Sequence, residues 1–138
     1  MINIRPYRNE DYEDLKLNLQ EGGLFNVTID DRETLRAKIQ SNPESILVAT
    51  IDNKVVGNVY IIQDPWSSFI FRLAVRKKFK ERGVGAMLMG EAEELLREKG
   101  VKDVALFVRS NHNELINYYK KMGYTSMENL HQCMYKEL

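Results

Sequence analysis

Arg76-Lys77-Lys78-Phe79-Lys80-Glu81-Arg82-Gly83-Val84-Gly85-Ala86 is the stretch on which the fold turns. An apolar run, Phe69 to Val75, precedes it, and an amphipathic run, Val84 to Lys99, follows. That order reads as strand, short basic loop, helix N-terminus. The first turn of a helix leaves backbone N–H groups without partners, and the aligned peptide dipoles add about half a positive charge there. Gly83 and Gly85 remove side chains where an anion would touch backbone, and Arg76, Lys77, Lys78, Lys80 and Arg82 add formal charge beside them. Together these features make a cradle for phosphate or pyrophosphate.

Spacing narrows the choice of phosphate ligand. A Walker loop needs four residues between its glycines and then Gly-Lys-Ser/Thr, which this chain lacks. A dinucleotide fingerprint needs a third glycine where Leu88 stands.

Outward from the loop the remaining elements follow by periodicity. Ile2 and Ile4 alternate in a short first strand stopped by Pro6. Asn9 is placed to cap a helix with an acidic first turn, Glu10 to Asp14, and with Tyr12, Leu15 and Leu19 on one face; Gly22-Gly23 ends it. Asp30-Asp31-Arg32-Glu33 reads as a capping box for a second helix, with Leu35 and Ile39 inward and Asn42-Pro43 as the stop. Ser45 to Ile51 and Val55 to Ile62 read as strands joined by a turn at Asp52-Asn53-Lys54, and Gly57 permits a bulge or a close contact. Phe69 to Val75, apolar apart from Arg72, has the pattern of a central strand. The helix after the loop carries Val84, Leu88, Ala92, Leu95 and Leu96 on one stripe and stops at Gly100. Val104 to Val108 is a predicted fifth strand, Asn111 to Met122 a fourth helix, and Tyr124 to Met127 with His131 to Lys136 a closing antiparallel pair.

The chain has 138 residues, enough for one domain, 1–138, to bury a core without disulfides or metals. Lys+Arg and Asp+Glu both number 20, so the whole molecule has no electrostatic case for gripping nucleic acid. No apolar stretch approaches the ~20 residues that span a membrane. A single cysteine, Cys133, rules out an intramolecular disulfide and fits a cytoplasmic location. It is expected to be a buried small apolar side chain.

Lys80-Glu81-Arg82-Gly83-Val84-Gly85-Ala86 resembles the coenzyme-A loop of the GNAT superfamily of N-acetyltransferases, Gln/Arg-x-x-Gly-x-Gly/Ala, with Lys80 where Gln or Arg is usual. Tyr119-Lys120-Lys121-Met122-Gly123-Tyr124 matches the Tyr-x-x-x-Gly-Phe/Tyr ending of that family's last helix. The resemblance implies an α/β fold with a mixed, mostly antiparallel central sheet of about seven strands and four helices, in the order β-α-α-β-β-β-α-β-α-β-β. It implies acetyl-CoA as cofactor in a gap between the fourth and fifth strands. Leu73, Ala74 and Val75 would pair with pantetheine, and Lys80, Glu81, Arg82, Gly83, Val84, Gly85 and Ala86 would hold the pyrophosphate. An amine would attack the thioester directly, with a backbone N–H near Leu73 holding the oxyanion and Tyr119 as the acid at the sulfur. Tyr118, about 100° round the helix, is assigned to packing. The family's pantetheine-binding Asn falls on His112, flanked by Asn111 and Asn113.

Many relatives carry a Glu base on the fourth strand, where Phe69 to Val75 has no carboxylate. Glu21, Asp30, Asp31 and Asp64, acting directly or through water, are the candidates in its place. Trp66 and Phe25 lie in loops near the expected acceptor side; plain packing is the favoured role for each, with shaping of an apolar or aromatic acceptor pocket as the alternative. The reading favoured is an N-acetyltransferase acting on a small-molecule primary amine. The alternatives are a peptide N-terminus as acceptor, or a non-catalytic acetyl-CoA sensor. A homodimer through the last strand pair is a family-level expectation.

Overall fold

The computed structural model describes residues 1–127 and 132–138. Its backbone divides into two compact units, Met1–Leu106 and Phe107–Leu138. The first holds β1 (Asn3–Pro6), α1 (Tyr12–Glu21), α2 (Arg32–Ser41), β2 (Ile46–Ile51), β3 (Lys54–Gln63), β4 (Ser68–Val75) and α3 (Val84–Glu98). The second holds α4 (Asn113–Lys121). The strands form one antiparallel sheet in the order β1-β2-β3-β4.

Alternation along β3 sends its side chains to opposite faces. Asn58 and Tyr60 face α1 and α2, where Tyr12, Leu15, Leu19, Leu35, Ile46 and Val48 complete a buried cluster. Gly57 faces α3, whose stripe Val84, Leu88, Met89, Ala92 and Leu96 is buried. Here glycine is needed for closeness: a Cβ at position 57 would lie 3.1 Å from both Val84 Cγ1 and Leu88 Cδ1, and 3.2 Å from the Ala74 carbonyl. The β2–β3 turn is tight because Asp52 and Asn53 both take left-handed backbone, φ 50° and 62°, which these two residue types tolerate best after glycine.

The cap residues differ in detail from the sequence reading. Asn9 opens a single 3₁₀ turn, Asn9–Asp11, and its carbonyl accepts from Arg32 at 2.8 Å. Asp31, not Asp30, caps α2, accepting from the Thr34 N–H. Asp30 is fully buried instead.

The expectation of about seven strands is overturned, and with it the element order beyond α3. Among the described residues the sheet has four strands. Of the predicted fifth strand, only Ala105 bridges β4, in parallel with Phe69: Ala105 N–H donates to Ser68 O (2.9 Å) and Ile70 N–H to Ala105 O (3.0 Å). The reason lies in β4. Asn58 pairs with Ala74 and Tyr60 with Phe71, so two β4 residues, Arg72 and Leu73, oppose one on β3. This bulge puts Arg72 in left-handed backbone, φ 56°, at the position where the next parallel bond would form. Tyr124 to Met127 and Gln132 to Lys136 form no strand, with Met127, Met134 and Tyr135 each more than four-fifths exposed. At the start of the first segment the Tyr124 N–H is spent on the Tyr119 carbonyl (3.1 Å), closing the end of α4 rather than joining a strand ladder. His131, the first residue of the last predicted strand, lies outside the described residues. Cys133 is exposed rather than buried.

Candidate functional site

The loop after β4 folds into a 3₁₀ turn, Lys77–Phe79, and then into α3. Gly83 occupies the N-cap with φ 80°, a left-handed conformation that only glycine adopts without strain. No side chain caps it, and the first turn carries no acidic residue. The N–H groups of Val84, Gly85 and Ala86 are therefore the orphan donors of this helix end. Lys80 and Arg82 are exposed beside them, the Arg82 guanidinium lying 5.2 Å from the centre of the Phe79 ring. Glu81 has φ 65° and is also exposed. Glu21, at the end of α1, accepts from the Lys77 N–H (2.9 Å) and ties the loop to the helix layer.

Arg76 departs from its expected role. It is 5% exposed, with Nε donating to Asn18 Oδ1 (3.0 Å) and Nη2 reaching Asp14 (3.3 Å). Its charge faces inward, which leaves Lys77, Lys78, Lys80 and Arg82 as the exposed cations of the loop. Asn18 Nδ2 donates to Asn58 Oδ1 (3.2 Å), and Asn58 Nδ2 donates to the Arg72 carbonyl (3.0 Å). The Arg72 side chain turns to Asp30, Nε to Oδ1 at 3.3 Å. Asp30 also accepts from the Tyr60 hydroxyl (3.1 Å) and the Asn26 N–H (2.9 Å). A buried polar chain thus runs from α1 through β3 to the β4 bulge and on to the α1–α2 loop. Sequence reasoning missed Asn18 and Asn58. The available signals were an asparagine inside the apolar run Val55 to Ile62, and another on the inward face of the first helix beside Leu15 and Leu19.

The base candidates are all engaged. Asp31 caps α2, Asp64 caps its own turn by accepting from the Trp66 and Ser67 N–H groups, Glu21 holds Lys77, and Asp30 is paired with Arg72. Trp66 is 96% exposed, which overturns the packing role favoured from the sequence. Phe25 packs on the core cluster, with Lys16 Nζ 5.3 Å from its ring centre. Lys38 of α2 donates from Nζ to the Ile61 carbonyl (2.6 Å), against the rings of Tyr60 and Phe71. Burial pushes its ammonium down to about 8.

Within the second unit, Tyr119 lies edge-on between Tyr118 (5.3 Å between ring centres) and Tyr124 (5.9 Å). Burial pushes its phenol up to about 12, the neighbouring Tyr118 adding to the shift. Tyr118, assigned to packing from the sequence, is an exposed side chain rather than a core one. His112 is the N-cap of α4, its Nδ1 accepting from the Leu115 N–H at 3.2 Å. That bond leaves Nε2 as the ring's donor. Asn111 is exposed.

The family model for the acetyltransferase (GNAT) family matches residues 7–124. This chain belongs to that family. An acetyltransferase of Pectobacterium atrosepticum is 25% identical over 127 residues, 92% of this chain and 90% of that protein. The solved structure of Ard1 from Thermoplasma volcanium is 28% identical, with a TM-score of 0.79 over 90% of this chain and 82% of that one. The fold is also that of the PaiA N-acetyltransferase from Thermoplasma acidophilum, solved in complex with coenzyme A: 24% identity, TM-score 0.71, 88% of each chain. The GNAT acyl donor is acetyl-CoA. The residues here fit its pyrophosphate, since α3 opens on an uncapped glycine with no acidic side chain and exposed basic residues beside it. Among the described residues, no helix is long and apolar enough to cross a membrane.

Proposed function

We propose that this GNAT protein acetylates a primary amine of a small molecule, the amine attacking directly with no acetylated enzyme intermediate. The observation that carries the reading is the uncapped, basic-flanked first turn of α3 placed directly after a bulged β4. Acetyl-CoA supplies a thioester activated toward nucleophiles. The chain's part is to bind and orient it. Val84, Gly85 and Ala86 offer backbone donors to the pyrophosphate, with Lys80 and Arg82 adding charge. Leu73 to Val75 present backbone to pantetheine, His112 offers Nε2–H to the same arm, and the Leu73 N–H donates to the oxygen that gains negative charge.

Tyr119 donates its O–H to the leaving sulfur. With the phenol at about 12, full transfer to a thiolate of ordinary pKa ~8.5 is uphill by roughly 5 kcal/mol. Tyr119 therefore acts as a hydrogen-bond donor that keeps its proton. The four candidate carboxylates already hold structural partners, so the amine loses its proton to water. The rate then rises with the neutral fraction of the amine, with unit slope below the amine's own pKa.

The test is coenzyme A release from acetyl-CoA over a panel of small amines, polyamines, amino acids and N-terminal peptides, with Tyr119→Phe alongside. Turnover of a small amine, reduced about 10- to 100-fold in the variant, supports the reading. Turnover of peptide N-termini alone refutes the small-molecule acceptor. Tight acetyl-CoA binding with no turnover across the panel refutes the enzyme and leaves a sensor.

A further inference from the structure

Arg72 is the point where β4 departs from regular pairing, and it is held from two sides. Its side chain is paired with fully buried Asp30. Its carbonyl accepts from Asn58 Nδ2 at 3.0 Å. Asn58 is itself fully buried and oriented by Asn18, whose Oδ1 is taken by Arg76. Left-handed backbone at an arginine costs roughly 1 kcal/mol or more and persists only where neighbours over-determine it. Three buried polar side chains from α1, β3 and the end of β4 supply that constraint.

The consequence follows from peptide geometry. The Arg72 carbonyl and the Leu73 N–H belong to one planar trans peptide and point in opposite directions. Fixing the carbonyl on Asn58 therefore aims the Leu73 N–H away from β3 and out of the sheet's ladder. We infer that Asn58, held by Asn18 and Arg76, is a positioning residue that presents the Leu73 N–H to the developing oxyanion. This inference rests on the acetyl-transfer reading above. Asn58 does not touch the reacting atoms; it acts through the Arg72–Leu73 peptide.

The test pairs Asn58→Leu with Asn58→Asp in the full chain. Two readouts are used: steady-state kinetics on the best amine of the panel, and the Leu73 amide resonance of ¹⁵N-labelled protein without substrate. In folded Asn58→Leu the expected result is a kcat about 10- to 100-fold lower, a KM for acetyl-CoA within about threefold, and a displaced Leu73 amide, since a misplacement of about 1 Å can cost 10²-fold. Asn58→Asp gives a conditional rescue, because a protonated carboxyl donates to the Arg72 carbonyl and a carboxylate cannot. Its Leu73 amide is expected near the wild-type position at low pH and near the Asn58→Leu position at high pH. The charged groups of the network around that site are Asp14 of α1, Arg72 and Arg76 flanking the bulge, and Asp30 of the α1–α2 loop. If Asn58→Leu does not fold, the Asn58→Asp titration decides alone. An unmoved Leu73 amide in folded Asn58→Leu overturns the inference, as does a Leu73 amide in Asn58→Asp that stays in one place from low to high pH, or wild-type kcat in Asn58→Leu. A fall in kcat that only tracks thermal stability, with the amide in place, overturns it too. If wild type acetylates nothing, the functional reading has failed, and the amide comparison still decides whether Asn58 sets the Leu73 peptide.

Discussion

Gly57→Ala tests the seat of α3 on the sheet. The added methyl would stand 3.1 Å from Leu88 Cδ1 and Val84 Cγ1 and 3.2 Å from the Ala74 carbonyl. Carbon atoms prefer about 3.5–4.0 Å, so α3 has to lift by a few tenths of an ångström. Neither neighbour has room to yield: Leu88 is 0% and Val84 2% exposed, and Val84 is β-branched. Overpacking of this kind costs about 1–3 kcal/mol. Stiffening the unfolded chain returns about 0.4–1 kcal/mol, so the net loss is about 1–2 kcal/mol. At roughly 2.1 cal/mol/K of unfolding entropy per residue, 138 residues convert that loss into a Tm about 3–7 °C lower. Val84 is also the first residue of α3, so the lift moves the anion cradle, and coenzyme A should bind about 3- to 10-fold more weakly because hydrogen bonds to a charged group lose strength with misalignment. Thermal unfolding by circular dichroism and calorimetric titration with coenzyme A read the two effects. An unchanged or raised Tm would refute the close packing of α3 on Gly57. A lower Tm with unchanged affinity would refute its coupling to the cradle.

Asp30→Ala strands the Arg72 guanidinium and removes the acceptor of Tyr60 and of the Asn26 N–H. It should cost about 3 kcal/mol in urea unfolding, the low end for a broken buried pair, because the Arg72 side chain keeps 19% of its exposure; a loss under about 1 kcal/mol would count against a buried pair. Gly83→Ala forces a side chain into φ 80° and should lower stability by about 1 kcal/mol while weakening coenzyme A binding; pyrophosphate competition distinguishes the cradle from a general loss of fold. Lys38 gives a pH signature. Its ammonium titrates at about 8 in the native state against 10.5 ordinarily, so folding releases a proton between these values. Stability should then rise with pH across that window and be flat with respect to Lys38 below it, where both states hold the proton. Unfolding at pH 7, 9 and 10 should show wild type gaining on Lys38→Met; parallel profiles would refute a depressed Lys38.

The elements up to α3 were legible because their signals are local. The apolar runs in Ile46–Ile51 and Lys54–Gln63, the left-handed pair Asp52-Asn53 and the stripe Val84-Leu88-Ala92 each mark an element within a few residues of chain. The strands after α3 were not legible, because Val104 to Val108 carries the right composition for a strand while its pairing depends on the Arg72 bulge on another one. Among the proposed site residues, Gly83 stands at the N-cap of α3 in left-handed backbone, whereas Arg76, a cradle charge in the sequence reading, is spent on Asn18 and Asp14.

The sequence by itself determined the acetyltransferase family, through two motifs, and the strand–loop–helix from Phe69 to Lys99, since these need only neighbouring residues; that Gly57 is a close approach to α3 was decided by the packing. Only the tertiary structure decided which of Asp30 and Asp31 caps α2 and which is buried, where Arg76 points, and that Asn18 and Asn58 hold the β4 bulge. Those partners are brought together by the fold from 14 to 62 residues apart. No periodicity encodes which polar group a buried side chain will find there. Burial makes each of them take one.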